Sequence, residues 1–167
     1  MDYKAEIPYG AYWSTPFARW QGSFANLHSI EFAAHVAKAE LAKRGIDPTR
    51  FDYGALGISV PQKHAFYGLP WLTGMIGAAN AGGPTLMQAC ATGVRTLLAA
   101  TQEIEAGMAT TALAINCDRT SNGPHIYYPN PRGAGGTGTA EDWVMENFNC
   151  DPLGGHTMLQ TAEIVAA

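Results

Sequence analysis

Apolar positions along the chain recur with two periods, and the switch between them divides the first two thirds into helices and short buried strands. Over residues 29–44, Ile30, Ala33, Val36, Ala37 and Leu41 share one face of a 3.6-residue repeat, with Gly45 and Pro48 as the stop. That spacing predicts a helix. Residues 53–60 form a short apolar run closed by Pro61, which reads as a buried strand. Pro70 suits the first turn of a helix running to about residue 79, and Gly82-Gly83-Pro84 breaks it. Residues 85–89 are strand-like. Residues 93–106 carry the clearest helical stripe, with Val94, Leu97, Leu98, Thr101 and Ile104 on one side and Gly107 beyond the end. Residues 110–116 form another apolar strand. Residues 10–25 are aromatic and Gly-rich, with no clean period.

Helix, strand, helix, strand, helix, strand is the order of an α/β protein: a mixed, mostly parallel sheet with helices on its faces. The texture changes after Asn116. Residues 118–155 hold Pro124, Pro129, Pro131, Pro152 and the run Gly133-Ala134-Gly135-Gly136-Thr137-Gly138, and long loops of this kind are usually functional or belong to an inserted lobe. The division expected is a core over 1–117 and the beginning of a loop lobe over 118–167. A last helix is predicted from near His156 to Ala167, with no Gly, Pro or basic cap, so it reads as cut inside an element.

Composition narrows the function classes. Of 167 residues, 47% are apolar but only 14% are charged, against a usual quarter or so. Some of the surface is therefore expected to lie under another chain or another copy. A net charge of −4, a pI near 5.6 and the lack of any Lys/Arg cluster argue against nucleic acid as a partner. No run of 18 apolar residues exists, so no membrane partner is expected, and the polar, acidic start Met1-Asp2-Tyr3-Lys4-Ala5-Glu6 does not read as a signal peptide. Three scattered cysteines suit a reduced, cytoplasmic protein rather than a disulfide framework.

The chemistry concentrates at Gln88-Ala89-Cys90-Ala91-Thr92-Gly93-Val94-Arg95, a thiol on a tight turn between a predicted strand and a predicted helix. Unpaired amides and the positive end of the helix dipole both favour thiolate, the nucleophilic form. Cys117 and Cys150 read as packing or incidental residues. Gly133 to Gly138 matches G-x-G-x-x-G, but Pro129, Asn130 and Pro131 precede it and no apolar helix follows, so it reads as a flexible loop rather than a dinucleotide site. Cys117, His125, Cys150 and His156 have the spacing of no common zinc motif, so no metal is expected. His64, His125 and His156 are the candidates for a base toward Cys90, though none has a spacing that brings it there. Trp71, Tyr127 and Tyr128 read as packing or interface residues. Lys63, Arg95 and Arg132 are isolated basic residues that could meet a phosphate.

Three ordered segments resemble the N-terminal half of thiolases. Ser14-Thr15-Pro16-Phe17-Ala18-Arg19-Trp20-Gln21-Gly22-Ser23-Phe24 is similar to the family's opening R-T-P segment, with Ser14 for the Arg. Cys90-Ala91-Thr92-Gly93 resembles its C-x-S-G nucleophile segment. Met158-Leu159-Gln160-Thr161-Ala162-Glu163 resembles M-G-x-T-A-E. Their spacing extends the resemblance over nearly the whole chain. It implies the N-terminal half of a layered α-β-α-β-α fold, with the start of an inserted loop lobe. It also implies acyl transfer through a cysteine thioester (3-ketoacyl-CoA thiolysis or the reverse Claisen condensation), with acyl-CoA and CoA as substrates and no metal or redox cofactor. By the same resemblance Cys90 accepts the acyl group and Met158 lines the acyl pocket.

Departures are informative. Met87 stands where relatives commonly have Asn, Asn116-Cys117-Asp118-Arg119-Thr120-Ser121 lacks the family's Gly pair, and Thr157 separates His156 from Met158. By the same resemblance, the activating His, a water-holding Asn and the second acid/base residue of thiolases are expected in a C-terminal half without counterpart in these 167 residues, and the last strand of the first half is expected after the loop lobe, beyond Ala167. The expectation is one subunit of a hetero-oligomer, nearly inactive alone, with a second chain supplying that half. Two rivals are a non-catalytic structural subunit, and another condensing enzyme such as a ketoacyl synthase or a hydroxymethylglutaryl-CoA synthase-like protein; the Met158 segment favours thiolase.

Overall fold

The computed structural model describes residues 4–167; Met1, Asp2 and Tyr3, the opening of the segment read as lacking a leader, lie outside the described residues. Its elements in chain order are α1 (Ser29–Lys43), β1 (Tyr53–Gly57), α2 (Gly68–Ile76), β2 (Thr85–Leu86), α3 (Thr92–Glu105), β3 (Ala112–Asn116), β4 (His125–Tyr128), β5 (Thr139–Asp142), α4 (Met145–Asn149) and α5 (Met158–Ala166). Strands β2, β1 and β3 form a parallel sheet in that order, with Leu56 opposite Thr85 and Ile115. The antiparallel pair β4–β5 stands apart from it. The parallel core is therefore wholly parallel, and the antiparallel component sits in the segment after Asn116.

Alternation along β1 sorts the two faces of the sheet. Leu56 and Ile58 join Leu113 and Ile115 of β3 in a core with Ile30, Ala34, Ala37 and Leu41 of α1 and Leu69, Leu72 and Ile76 of α2. Full burial of a side chain such as Leu56 or Leu69 stabilises the fold by roughly 1.5–3 kcal/mol. On the opposite face Ala55 and Gly57 of β1 and Ala114 of β3 form a small-residue stretch, between Tyr53 at one end and Asn116 at the other. Gly57 has no room for a Cβ, which would collide with the Asn116 amide and the Thr92 methyl at the start of α3. That small-residue face lets α3 approach closely, and the helix buries only Thr92, Thr96 and Ala100.

The apolar stripe read on α3 is not its buried face: Val94, Leu97 and Leu98 are 72%, 48% and 42% exposed. Periodicity located the helix correctly, but the sheet selects its small face.

Element ends moved for local reasons. The strand predicted over 53–60 stops at Gly57, because the amides of Ser59 and Val60 donate to Asp118 Oδ1 instead of to a neighbouring strand. The strand predicted over 85–89 is only Thr85–Leu86, since the chain turns toward Cys90. Helix α2 starts two residues before Pro70 and ends earlier than expected, at a left-handed Gly77. Helix α5 begins at Met158 rather than near His156, because Thr157 forms a capping box with Gln160. Residues 118–155, expected as loop, also contain β4, β5 and α4. The Gly133–Gly138 run joins β4 to β5 and opens no α-helix, with the Gly138 amide donating to Tyr127 Oη at 2.8 Å.

Candidate active site

Between β2 and α3 the chain reverses in a few residues. Ala89 takes φ = 44°, a left-handed conformation that a Cβ makes costly, and the carbonyls of Gln88 and Ala89 accept from the amides of Ala91 and Thr92 at 3.0 and 3.1 Å. The strained turn persists because Thr92 holds it from inside. Its hydroxyl donates to the Ala89 carbonyl at 2.7 Å and accepts from the Gln88 amide at 2.8 Å. Cys90 is at the apex, exposed, two residues before the first turn of α3.

Ala91 is the N-cap residue of α3, and no side-chain oxygen caps it. The helix start is therefore left without the capping group that Ser, Thr, Asp or Asn would supply.

Ser59 lies beneath this turn. Its hydroxyl lies 3.2 Å from both the Ala89 carbonyl and Thr92 Oγ1, while its own amide is held by Asp118. One turn along α3, the Thr96 hydroxyl donates to Asn116 Oδ1 at 2.9 Å. The segment that departs from the thiolase pattern thus carries structural duties: Asn116 anchors α3, Asp118 closes the end of β1, and Ser121 Oγ accepts from the Gln21 amide. Arg119 reaches back to the Leu27 carbonyl at 2.9 Å.

The three cysteines differ sharply. Cys117 is packed against the core, and burial pushes its thiol up to about 12, so it stays protonated at neutral pH. Cys150 is exposed at the C-terminal end of α4. Cys90 alone combines exposure with the strand-to-helix turn.

Among the described residues no hydrogen bond joins a histidine to Cys90. His64 packs edge-on against Trp71, with ring centroids 6.1 Å apart, and His28 does so at 5.1 Å. His125 lines a shallow cleft with Trp20, Asn122 and Asp142. His156 donates its backbone amide to Asp151 Oδ2 at 2.8 Å. Tyr127 and Tyr128 brace the β4–β5 pair, Tyr128 by donating to Glu141 at 2.7 Å. Arg95 and Arg132 are exposed, and the carbonyl of Lys63 accepts from His28. Met158 stands in the first turn of α5, 37% exposed, on a helix that buries none of its residues. Among the described residues, no group of three or more His, Cys, Asp or Glu side chains is placed to hold a metal ion. No helix there is long and apolar enough to cross a membrane.

Sequence reasoning missed Ser59, Asp118 and Trp143 as supports of the turn. Asp118 carried a weak signal as the carboxylate just past an apolar strand. Nothing in the local pattern pointed to Trp143, whose partner is 84 residues away.

Fold and turn define an α/β domain carrying a cysteine on a strand-to-helix elbow. Residues 11–167 match the family model for the thiolase N-terminal domain, and the chain belongs to the thiolase family. An acetyl-CoA acetyltransferase of Paracoccus denitrificans is 30% identical over 161 residues, covering 91% of this chain and 39% of that protein. The crystal structure of human mitochondrial 3-ketoacyl-CoA thiolase in complex with CoA superposes with a TM-score of 0.77 at 22% identity, over 91% of this chain and 39% of that one. An acetyl-CoA acetyltransferase from Syntrophomonas wolfei gives 0.72 at 28% identity, with the same coverage. The chain thus spans about two fifths of the length of the curated relative it matches.

Proposed function

We propose that this protein is a thiolase-type acyltransferase in which Cys90 is the acyl acceptor. The observation that carries the reading is the exposed thiol at the uncapped start of α3, on a left-handed turn held by Thr92. In the forward half-reaction the Cys90 thiolate attacks the acyl carbonyl carbon, a C–S bond forms, and the carbonyl oxygen gains negative charge near backbone amides. Collapse expels the leaving group, either the thiolate of CoA or a carbanion that takes up a proton. A second thiolate or carbanion then takes the acyl group from Cys90. A donor already aimed at the developing oxyanion stabilises the transition state more than the ground state.

The base that deprotonates Cys90 comes, in this reading, from a second chain carrying the rest of the thiolase sequence, within a cytoplasmic hetero-oligomer. The exposed stripe of Val94, Leu97 and Leu98 and the low charge content support that arrangement. Met158 lines the acyl pocket of the completed site, which works without metal or redox cofactor.

The test is isotope exchange between acyl-CoA and free labelled CoA without any second acyl acceptor, in the native assembly. A ping-pong enzyme catalyses this exchange through its acyl-enzyme. Cys90→Ala is expected to abolish it, and exchange that survives would overturn the assignment. A non-catalytic structural subunit is the second reading, favoured by His64, His125 and His156, none of which is hydrogen-bonded to Cys90 among the described residues. Preferential reaction of Cys90 with limiting thiol reagent near neutral pH separates the two, since a structural subunit has no reason to activate it.

A further inference from the structure

The segment after β5 is hydrogen-bonded through one side chain to Ser59, the residue beneath the nucleophile turn. Trp143 Nε1 donates to the Ser59 carbonyl at 2.9 Å, two residues past the end of β1. An indole N–H taken out of water needs an acceptor, and here it finds a backbone carbonyl that no strand uses. Ser59 is held on three sides: its carbonyl by Trp143, its amide by Asp118 at 2.8 Å, and its hydroxyl against Ala89 and Thr92. Trp143 is itself fixed. Its amide donates to the Pro124 carbonyl at 3.1 Å, the adjoining Val144 side chain is buried, and Asp142 Oδ1 accepts from the amides of Val144 and Met145.

We propose that Trp143 is a positioning residue, which through Ser59 fixes the left-handed turn that presents Cys90. The inference deepens the proposed function and rests on Cys90 being the acyl acceptor. Its physical basis is that Ala89 adopts a conformation its own chemistry disfavours, so the turn stays in place only while its surroundings over-determine it. Thr92 grips the turn from α3, while Ser59 grips it from the sheet side. Of these two grips, the Ser59 one extends beyond the parallel sheet, into the segment containing β4, β5 and α4. Movement of that segment is thereby transmitted to the turn under the thiol. Trp143 does not touch the reacting atoms, so its loss slows acylation without altering how the acyl-CoA is held.

Trp143→Phe keeps most of the ring and removes the donor; Ser59→Ala keeps the carbonyl and removes the hydroxyl. Both are tested in the complete native assembly by hydrogen exchange and by single-turnover acylation from an acyl-CoA. Each variant is expected to speed exchange of the Gln88–Thr92 amides about tenfold, while those of α1 keep the wild-type rate. Each is also expected to lower the acylation rate constant about tenfold with KM changed less than twofold. Exchange that rises uniformly, or not at all, overturns the proposal, and so does a loss that falls on KM alone. Exchange does not depend on catalysis, so a wild-type protein that forms no acyl-Cys90 refutes the functional reading separately from the coupling.

Discussion

Three cysteines with the same side chain are set to different tasks by their surroundings. Cys117 binds its proton more tightly folded than unfolded, since burial lifts the thiol from 9.0 to about 12. Iodoacetamide at pH 7.5 is therefore expected to modify Cys90 and Cys150 and to spare Cys117; early modification of Cys117 would contradict its placement. The same shift makes stability depend on pH. The contribution of Cys117 is fully present below about pH 9 and is lost as pH rises toward 12, because the unfolded thiol ionises first. Urea midpoints measured from pH 8 to 11 are expected to fall for the wild type and to fall less steeply for Cys117→Ala. Gly57 is the other decisive single position. Gly57→Ala forces a methyl against Thr92 and Asn116, so a loss of about 1–3 kcal/mol is expected in equilibrium unfolding, together with slower acylation.

At the scale of elements, most helices and parallel strands could be read from the sequence, and the exceptions have physical causes. Helix α1 ends within one residue of expectation because a periodic stripe and Gly45 mark it locally. The burial of α3 was not legible. Its apolar stripe is genuine, but Gly57 and Asn116, far away in sequence, decide which face meets the sheet. The β4–β5 pair was hidden by the prolines and glycines around it, while the turn that carries Cys90 was legible because turn and helix are contiguous in sequence. Strands β1 and β3 carry a further link, from Asp52 to the hydroxyl and amide of Thr110 and the amide of Thr111. These bonds, the Thr110 hydroxyl first, hold the Asp52 carboxyl below its ordinary range. The link is intact above the unfolded carboxyl value and is lost as pH falls through the folded one. Unfolding midpoints between about pH 5 and pH 2 are expected to drop less steeply in Asp52→Asn than in the wild type; equal slopes would remove the link from the account.

For the whole molecule, the α3 face ties composition to function. Val94, Leu97 and Leu98 are exposed on one stripe and the chain carries little charge, and this is the face the proposed second chain would cover. Leu97→Glu together with Leu98→Glu is expected to strip the second chain from the native particle while leaving circular dichroism of this chain unchanged; a particle of unaltered mass would place the contact elsewhere. The central claim is nevertheless chemical. It is tested most directly by mixing the native assembly with labelled acyl-CoA, quenching in acid, and locating the label by peptide mass spectrometry. The account predicts an acid-stable thioester on the peptide containing Cys90, formed and consumed at catalytically competent rates. Label on Cys150, or no label on any peptide of this chain, would contradict it.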